Sequence, residues 1–145
     1  MPRQKPRLFE PITVNELTVP HRLWVAPMCQ YSSVDGMPTD WHLVHLGSFA
    51  IGRAGLIMTE ATAVCPEGRI SPYDAGLWND EHTAAWRRVV RFVHEMDSLI
   101  GIQLSHAGRK ASTWPPTRGR GSVPAEEGGW TTVGPSDVAY GPFTP

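Results

Sequence analysis

The chain has 145 residues, of which 41% are hydrophobic, and its formal net charge at pH 7 is −1. This near-balance of charge, without a basic stripe, argues against nucleic acid as a partner. No apolar run approaches the roughly 20 residues that a membrane-spanning helix needs. The two cysteines lack the spacing of a zinc site, so reduced thiols and a cytoplasmic location are expected.

The first elements predicted along the chain are a β-hairpin and a buried strand. Residues 12–14 and 17–19 are short, mostly apolar stretches separated by two polar residues, a pattern typical of a hairpin. Residues 23–26 are all apolar, without alternation, so this strand is expected to be covered on both faces, as in a parallel sheet. Pro27 cannot donate to a strand ladder and is expected to end the pairing.

A first helix is expected to begin at Thr39 or Asp40, either of which can cap it, and to end at Gly52. Its apolar positions fit a single helical face only loosely: Trp41, Val44, Phe49 and Ile51. His42 and His45 form an HxxH pair on this helix. No third metal ligand accompanies them, which favours a packed or surface pair over a metal site.

A second strand, a second helix and a third strand are predicted next. Residues 55–61 form a buried apolar run, and Asn79 and Asp80 are expected to cap a helix that extends to about Ser98. Its apolar face recurs at three- and four-residue spacings: Trp86, Val89, Val90, Val93 and Met96. Residues 99–104 predict the third strand. Strands that alternate with helices are expected to be parallel neighbours, with their C-terminal ends on one rim.

That rim is expected to carry reactive side chains. Met28 and Cys29 follow the first strand, Glu60 and Ala61 end the second, and Gln103 lies at the end of the third. Parallel α/β folds build their active sites from the C-terminal ends of strands in this way. The sequence therefore predicts a ligand site along this rim.

No helix or strand is predicted between residues 105 and 145. The cations at its start, His106, Arg109 and Lys110, fit a role in a substrate loop or a structural role equally well. A structureless segment of this length does not suit a compact domain. Three parallel strands with two helices also cannot cover both faces of a sheet or remove its edges. The sequence is therefore expected to be cut off rather than a finished fold.

Five motifs cover nearly the whole chain: LFEPI at 8–12, APMCQYS at 26–32, GLIMTEA at 55–61, EGRI at 67–70 and GIQLSHAGRK at 101–110. In this order they resemble the N-terminal portion of the old yellow enzyme family of FMN-dependent ene-reductases. The nearer match is the bacterial thermophilic-like branch, which has a cysteine beside the flavin. The resemblance implies an α/β fold in which residues 1–145 supply a short hairpin, the first three strands and two helices of a (β/α)8 TIM barrel. Residues 105–145 would then be a long active-site loop, truncated.

The resemblance assigns flavin contacts to six residues: Ala26, Pro27, Met28, Cys29, Ala61 and Gln103. Cys29 would act as a weak donor near the ring, with an inert buried cysteine as the alternative. Gln103 would bond the flavin pyrimidine or cap a loop, and Tyr31 would orient substrate or be a half-buried interface aromatic. No catalytic residue is expected within the chain, because the family's proton-donating tyrosine and substrate-anchoring histidines lie further on.

The activity implied by the resemblance is hydride transfer from NAD(P)H, through FMN, to the C=C bond of an α,β-unsaturated carbonyl compound. The isolated chain is expected to be inactive, and the full-length protein to be a homo-oligomer without nucleic-acid or membrane partners. The alternative is a non-catalytic fragment that associates with a partner or with itself through its open strand edges. A flavodoxin-like domain is disfavoured, because residues 27–30 are not a phosphate loop.

Overall fold

The computed structural model describes residues 6–138 and 140–141. The predicted hairpin is confirmed, because β1 (Ile12–Val14) and β2 (Leu17–Val19) pair antiparallel. Asn15 makes the turn with a φ of 50°, in the left-handed region that Asn tolerates better than most residues.

A three-stranded parallel sheet follows, with strand order β3-β4-β5. Its strands are β3 (Trp24–Val25), β4 (Leu56–Ala63) and β5 (Leu99–Ser105), and its crossover helices are α1 (Asp40–Ile51) and α2 (Asp80–Glu95). This order confirms the predicted alternation of strands and helices. Because the strands are parallel, their C-terminal ends lie at one edge of the sheet.

The first strand of this sheet differs from its prediction. β3 has only two residues, and Leu23 and Trp24 are 54% and 41% exposed. The expectation that residues 23–26 are covered on both faces is therefore wrong for the described chain. The reason is that β3 is an outer strand, paired with β4 alone. An apolar run indicates that a strand is suited to being buried, but it does not show whether other elements are present to cover it.

Both helices begin at the caps that the sequence predicts. The backbone amide of Thr39 donates to the ring of His42 at 2.9 Å, within the capping box of α1. Asn79 caps α2, where its side chain accepts a backbone N–H at 2.8 Å. α2 ends before the predicted Ser98, because Asp97 adopts a left-handed φ of 57°. Neither helix of the described chain is long and apolar enough to cross a membrane.

The helices pack against the sheet around Ile57, which is fully buried. The buried apolar core consists of Leu46, Ala50, Ile57, Ala75, Trp86, Val89 and Val93. It contains three of the positions predicted for the inward face of α2. A glycine allows the helices to approach closely, because a Cβ at Gly47 would lie 2.7 Å from the ring of Phe92.

The inward face of α1 is not the one that its large apolar residues suggested. The buried residues of this helix are His42, Leu46, Gly47 and Ala50. Trp41, Val44 and Ile51 are instead 54%, 69% and 65% exposed. His42 packs edge-on against Trp86 of α2, and Gly47 leaves room for the ring of Phe92, so the helix approach rather than the apolar pattern decides which residues of α1 are buried.

β4 extends beyond its predicted end and contains a bulge. Its pairing with β5 has one extra residue between Met58 and Ala61. Side chains of a regular strand alternate between faces, so Met58 and Glu60 would share a face. With the extra residue, Thr59 and Glu60 are both buried, and Glu60 contacts α1.

The segment after β5 forms only short 3-10 turns and one isolated bridge within residues 106–138, as predicted, but it is not structureless. Thr113 donates its backbone N–H to the carbonyl of Ile70 at 2.8 Å. Arg69 lies over the ring of Trp130, 5.0 Å from its centroid. The segment therefore folds back onto the loop that follows β4. Residue 139 and residues 142–145 lie outside the described part.

Replacing the central core residue tests this packing. Ile57→Ala is expected to lower the free energy of unfolding by about 2–5 kcal/mol, because it removes buried methyl groups and leaves a cavity. Ile51→Ala is the matched control, since that side chain is 65% exposed. Its effect is expected to stay within about 0.5 kcal/mol. Urea unfolding followed by tryptophan fluorescence measures both, and equal losses would contradict the placement of the core.

Candidate functional site

The C-terminal ends of the parallel strands bring the predicted site residues together. Ala61 lies opposite Gln103 in the pairing of β4 with β5. The thiol of Cys29, on the segment after β3, lies near enough to the backbone amide of Ala61 for that amide to lower the pKa of the thiol. Groups from three strand ends therefore share one edge of the sheet, the position at which parallel α/β folds bind ligands.

Cys29 is held as a neutral thiol. Burial raises its pKa above the ordinary value of a cysteine, and the negative charges of Asp74 and Glu60 raise it further. The backbone amide of Ala61 acts in the opposite direction, because it stabilises the thiolate. Burial is the largest effect, so at neutral pH the side chain is a weak hydrogen-bond donor.

Tyr31 forms a unit with Cys29. Its phenol lies near the thiol, and its pKa is raised first by burial and then by the nearby acidic groups. The backbone of Tyr31 has a φ of 50°, in the left-handed region that costs energy for a bulky side chain. Such strain persists only where the surroundings fix the backbone, and it is concentrated at functional sites.

The outward-facing groups at this edge suit a planar heteroaromatic ligand. Gln103 is exposed, and its side-chain amide makes no hydrogen bond with any other described residue, so a donor and an acceptor are both free. Ala26, Pro27 and Met28 are exposed beyond the end of β3. Ala61, partly buried, contributes only a methyl group at this edge. A flavin carries donors and acceptors along its pyrimidine edge, and these groups fit such an edge.

The sequence placed Glu60 on the rim and His42 on α1, but it did not predict that the two side chains pair. Glu60 is 4% exposed and His42 1% exposed, and Glu60 Oε1 lies 2.9 Å from His42 Nε2. Glu60 Oε2 accepts the backbone N–H of Gln30 at 2.9 Å. One signal could have found this pair: a carboxylate at the end of an otherwise apolar strand needs donors if it is buried.

Side chains, rather than sheet pairing, hold the segment that follows β3. Gln30 Nε2 donates to the carbonyl of Met28 at 2.8 Å, and Trp41 Nε1 donates to Gln30 Oε1 at 3.1 Å. Ser32 Oγ donates to the Gln30 carbonyl at 2.9 Å. These contacts fix the backbone on both sides of Cys29 and Tyr31.

The HxxH pair on α1 is already engaged within the protein. His42 Nδ1 accepts the backbone N–H of Thr39, and Nε2 faces Glu60. His45 stacks on Trp41, with ring centroids 6.2 Å apart. Across the part of the chain that the structure describes, no group of three potential metal ligands comes together. His42 therefore serves as a buried hydrogen-bonding residue.

Two of the cations near the rim contact the chain itself. Arg109 donates to Ser136 Oγ, and Lys110 Nζ lies 4.3 Å from the ring centroid of Tyr140. Of the two roles that the sequence left open for these cations, their contacts favour the structural one.

A parallel sheet with crossover helices and polar groups at its strand ends is shared by (β/α)8 barrels and open doubly wound folds, and similarity to known proteins distinguishes the two. The sequence profile of the NADH:flavin oxidoreductase / NADH oxidase family matches residues 7–140. The chain belongs to this family of oxidoreductases, whose members use FMN with NAD(P)H as the reductant.

Individual relatives agree with this assignment. The chain is 50% identical over 136 residues to an NADH:flavin oxidoreductase of Gibberella zeae, a match that covers 92% of this chain and 33% of the relative. It is 51% identical over 107 residues to an NADPH dehydrogenase of Bacillus cytotoxicus, covering 72% of this chain and 31% of that protein.

Solved structures give the same result. The old yellow enzyme homologue from Zymomonas mobilis superposes with a TM-score of 0.66 and 36% identity, over 73% of this chain and 30% of that one. Morphinone reductase superposes with a TM-score of 0.68 and 34% identity, over 77% of this chain and 29% of that one. The chain thus spans about a third of the length of the curated relatives it matches. These matches confirm the resemblance to old yellow enzymes and the partial-barrel fold.

The raised pKa of Cys29 is measurable as a titration. In a chain carrying Cys65→Ala, the ultraviolet absorbance of the thiolate is expected to develop at higher pH than in the same chain unfolded in urea, because burial and nearby carboxylates disfavour the thiolate. The stability that the neutral thiol contributes is then fully present below its unfolded pKa, and is lost as pH rises through its folded pKa. Coincident folded and unfolded titrations would contradict the burial of this thiol.

Proposed function

We propose that this chain supplies one part of the flavin site of an FMN-dependent ene-reductase. The observation that carries the proposal is the meeting of the Cys29 thiol, the Ala61 amide and the Gln103 side chain at adjacent strand ends of a flavin oxidoreductase family member. The chemistry that FMN supplies when bound is hydride transfer from NAD(P)H to the C=C bond of an α,β-unsaturated carbonyl compound. The protein's own share is orientation and electrostatic tuning.

The exposed edge supplies contacts that orient a flavin ring. The Gln103 amide presents a donor and an acceptor to the pyrimidine edge. The exposed backbone of Ala26, Pro27 and Met28 would lie along the ring, and Ala61 would present only a methyl group to it. None of these groups carries a charge, so they orient the ring without altering its net charge.

Cys29 and Tyr31 supply neutral donors. The thiol stays protonated because burial raises its pKa, so it would supply a weak hydrogen-bond donor to the ring. The phenol of Tyr31 also has a raised pKa and remains a donor that orients the substrate carbonyl.

The whole protein is proposed to be a cytoplasmic homo-oligomer that acts on a small-molecule enone, without nucleic-acid or membrane partners. Residues 1–145 form the N-terminal portion of its single barrel domain, and residues 105–145 begin a long loop beside the active site. No general acid is assigned to this chain. The chain alone is therefore expected to be inactive as an ene-reductase.

A chimera tests the proposed function. The matched residues of this chain replace their counterparts in the NADPH dehydrogenase of Bacillus subtilis, to which the chain is 50% identical over 107 residues. The purified chimera is expected to be yellow with bound FMN and to oxidise NADPH when a cyclic enone is added. A folded chimera that is colourless and inactive would overturn the proposal.

A single side chain in this chimera tests the position of the ring. Ala61→Leu is expected to weaken FMN binding by about tenfold or more, because the larger side chain would occupy the space of the ring. Ala84→Leu makes the same change on the exposed face of α2 and is the matched control. Flavin fluorescence titration measures both affinities. Equal affinities for the two variants would exclude Ala61 from the site.

A second candidate function, in which the chain acts by association, is favoured by the apolar side chains beside its open strand edges. Leu23, just before β3, and Trp24, within it, are exposed, and Leu104 is 58% exposed on β5. Within the described residues, each of these two strands has a neighbour on one side only. Open apolar edges of this kind are templates for pairing with another chain.

Sedimentation velocity of the isolated chain tests association. The chain is expected to form larger species as its concentration rises, and Leu104→Lys is expected to shift them towards the monomer, because a charge at the edge opposes pairing. Val34→Lys, at a loop position that is 65% exposed, is the control. A folded monomer at every concentration would rule this candidate out.

A further inference from the structure

A buried chain of hydrogen bonds lies behind the strand ends and joins three elements of the fold. The backbone N–H of Gln30 donates to Glu60 Oε2 at 2.9 Å, and Glu60 Oε1 lies 2.9 Å from His42 Nε2. Glu60 belongs to β4, His42 to α1, and Gln30 to the segment after β3. Solvent is excluded, because Glu60 and His42 are only 4% and 1% exposed.

The direction of each contact follows from what its partners can donate. The backbone N–H of Thr39 lies 2.9 Å from His42 Nδ1, and since an amide N–H can only donate, Nδ1 is the acceptor. The ring proton of the neutral imidazole is therefore on Nε2, where it faces Glu60 Oε1. Ser33 Oγ, 3.3 Å from the same Nε2, is its other neighbour. The hydrogen bonds thus define a single tautomer of His42.

Glu60 receives one donor on each carboxylate oxygen. A glutamine in its place has one acceptor oxygen and one NH₂ group, so it cannot accept both the His42 and the Gln30 protons. His42 cannot resolve the conflict by changing tautomer, because Nδ1 must accept from Thr39. One donor would then face another donor in a buried place, which is costly. Only a carboxylate satisfies this arrangement.

We propose that Glu60 and His42 are positioning residues that set the backbone around Gln30 and thereby hold the Cys29 thiol and the Tyr31 phenol at the flavin site. The inference rests on the proposed function and deepens it. Gln30 lies between the two reactive side chains in sequence, so fixing its amide fixes both neighbours. Tyr31 keeps its left-handed φ of 50° because this amide and the contacts of the Gln30 side chain hold the segment.

Two variants of His42 separate positioning from general stability. His42→Gln is the conservative variant, because its amide N–H lies near the position of Nε2 and still reaches Glu60, although the acceptor for Thr39 is lost. His42→Asn does the reverse, since its amide oxygen lies near Nδ1 and caps α1 but no donor reaches Glu60. A positioning role predicts that the two variants differ at the site. A purely structural role predicts that both loosen it alike.

The readout is the reaction of Cys29 with a disulfide reagent, measured against pH in the flavin-free chain carrying Cys65→Ala. Glu60→Gln and His42→Asn are expected to raise the limiting rate of the thiolate by about tenfold or more, the equivalent of one lost hydrogen bond to a charged group. His42→Gln is expected to react close to the parent rate. Glu95→Gln removes a carboxylate from the exposed surface of α2 and controls for charge.

The pH at the midpoint, where the reaction rate of Cys29 reaches half its limiting value, separates two effects: a change in the position of the thiol and a change in the charge near it. Glu60→Gln is expected to lower this midpoint as well, because the Glu60 charge raises the pKa of Cys29. His42→Asn keeps that charge, so it is expected to change the limiting rate alone. Equal limiting rates in all variants would overturn the proposal. If the limiting rate rose equally in His42→Gln and His42→Asn, the proposal would also be overturned. The rise would then reflect a general loss of stability and not the loss of the hydrogen bond to Glu60.

Measurements on the parent chain keep the proposal testable if a variant does not fold. Nitrogen-15 NMR is expected to show His42 as the Nε2–H tautomer, and the Gln30 amide hydrogen is expected to exchange slowly with solvent. The opposite tautomer, or exchange at the rate of an open amide, would overturn the proposal. Neither experiment needs flavin, so this failure is distinct from a colourless, inactive chimera.

Discussion

A buried carboxylate has to be compensated, and the way in which Glu60 is compensated ties the site to the fold. Transfer of a charge out of water is costly unless donors replace the lost hydration. Glu60 takes one donor from α1 and one from the segment after β3. Elements far apart in sequence therefore meet at one side chain. Removing either donor leaves a poorly compensated charge in the interior, so the arrangement forms as a unit.

Apolar packing alone would not define this geometry. The core around Ile57 holds both helices against the sheet, but hydrophobic contacts tolerate small shifts as long as volume is conserved. At the bulge in β4, Thr59 and Glu60 are both buried, and Glu60 lies against His42 of α1. Close packing of the helices, permitted by Gly47, then places His42 where it can donate.

The sequence predicted correctly those features that depend on the hydrophobic pattern of a single segment. Alternating strands and helices fixed the order of the parallel sheet, and the ends of its strands predicted that Cys29, Ala61 and Gln103 would meet. It failed where the outcome depends on a neighbour. Whether residues 23–26 are buried depends on what lies beyond the outer strand, and the inward face of α1 depends on how closely α2 approaches. A bulge leaves no mark in the hydrophobic pattern, so the burial of Glu60 and its pairing with His42 were not predicted.

The electrostatics of the strand ends indicate what this part of the barrel is suited to do. Burial and neighbouring carboxylates raise the pKa values of Cys29 and Tyr31, away from neutrality. At neutral pH both groups therefore remain protonated and can donate hydrogen bonds. With Gln103, they form a set of neutral donors suited to orienting a ring and a carbonyl.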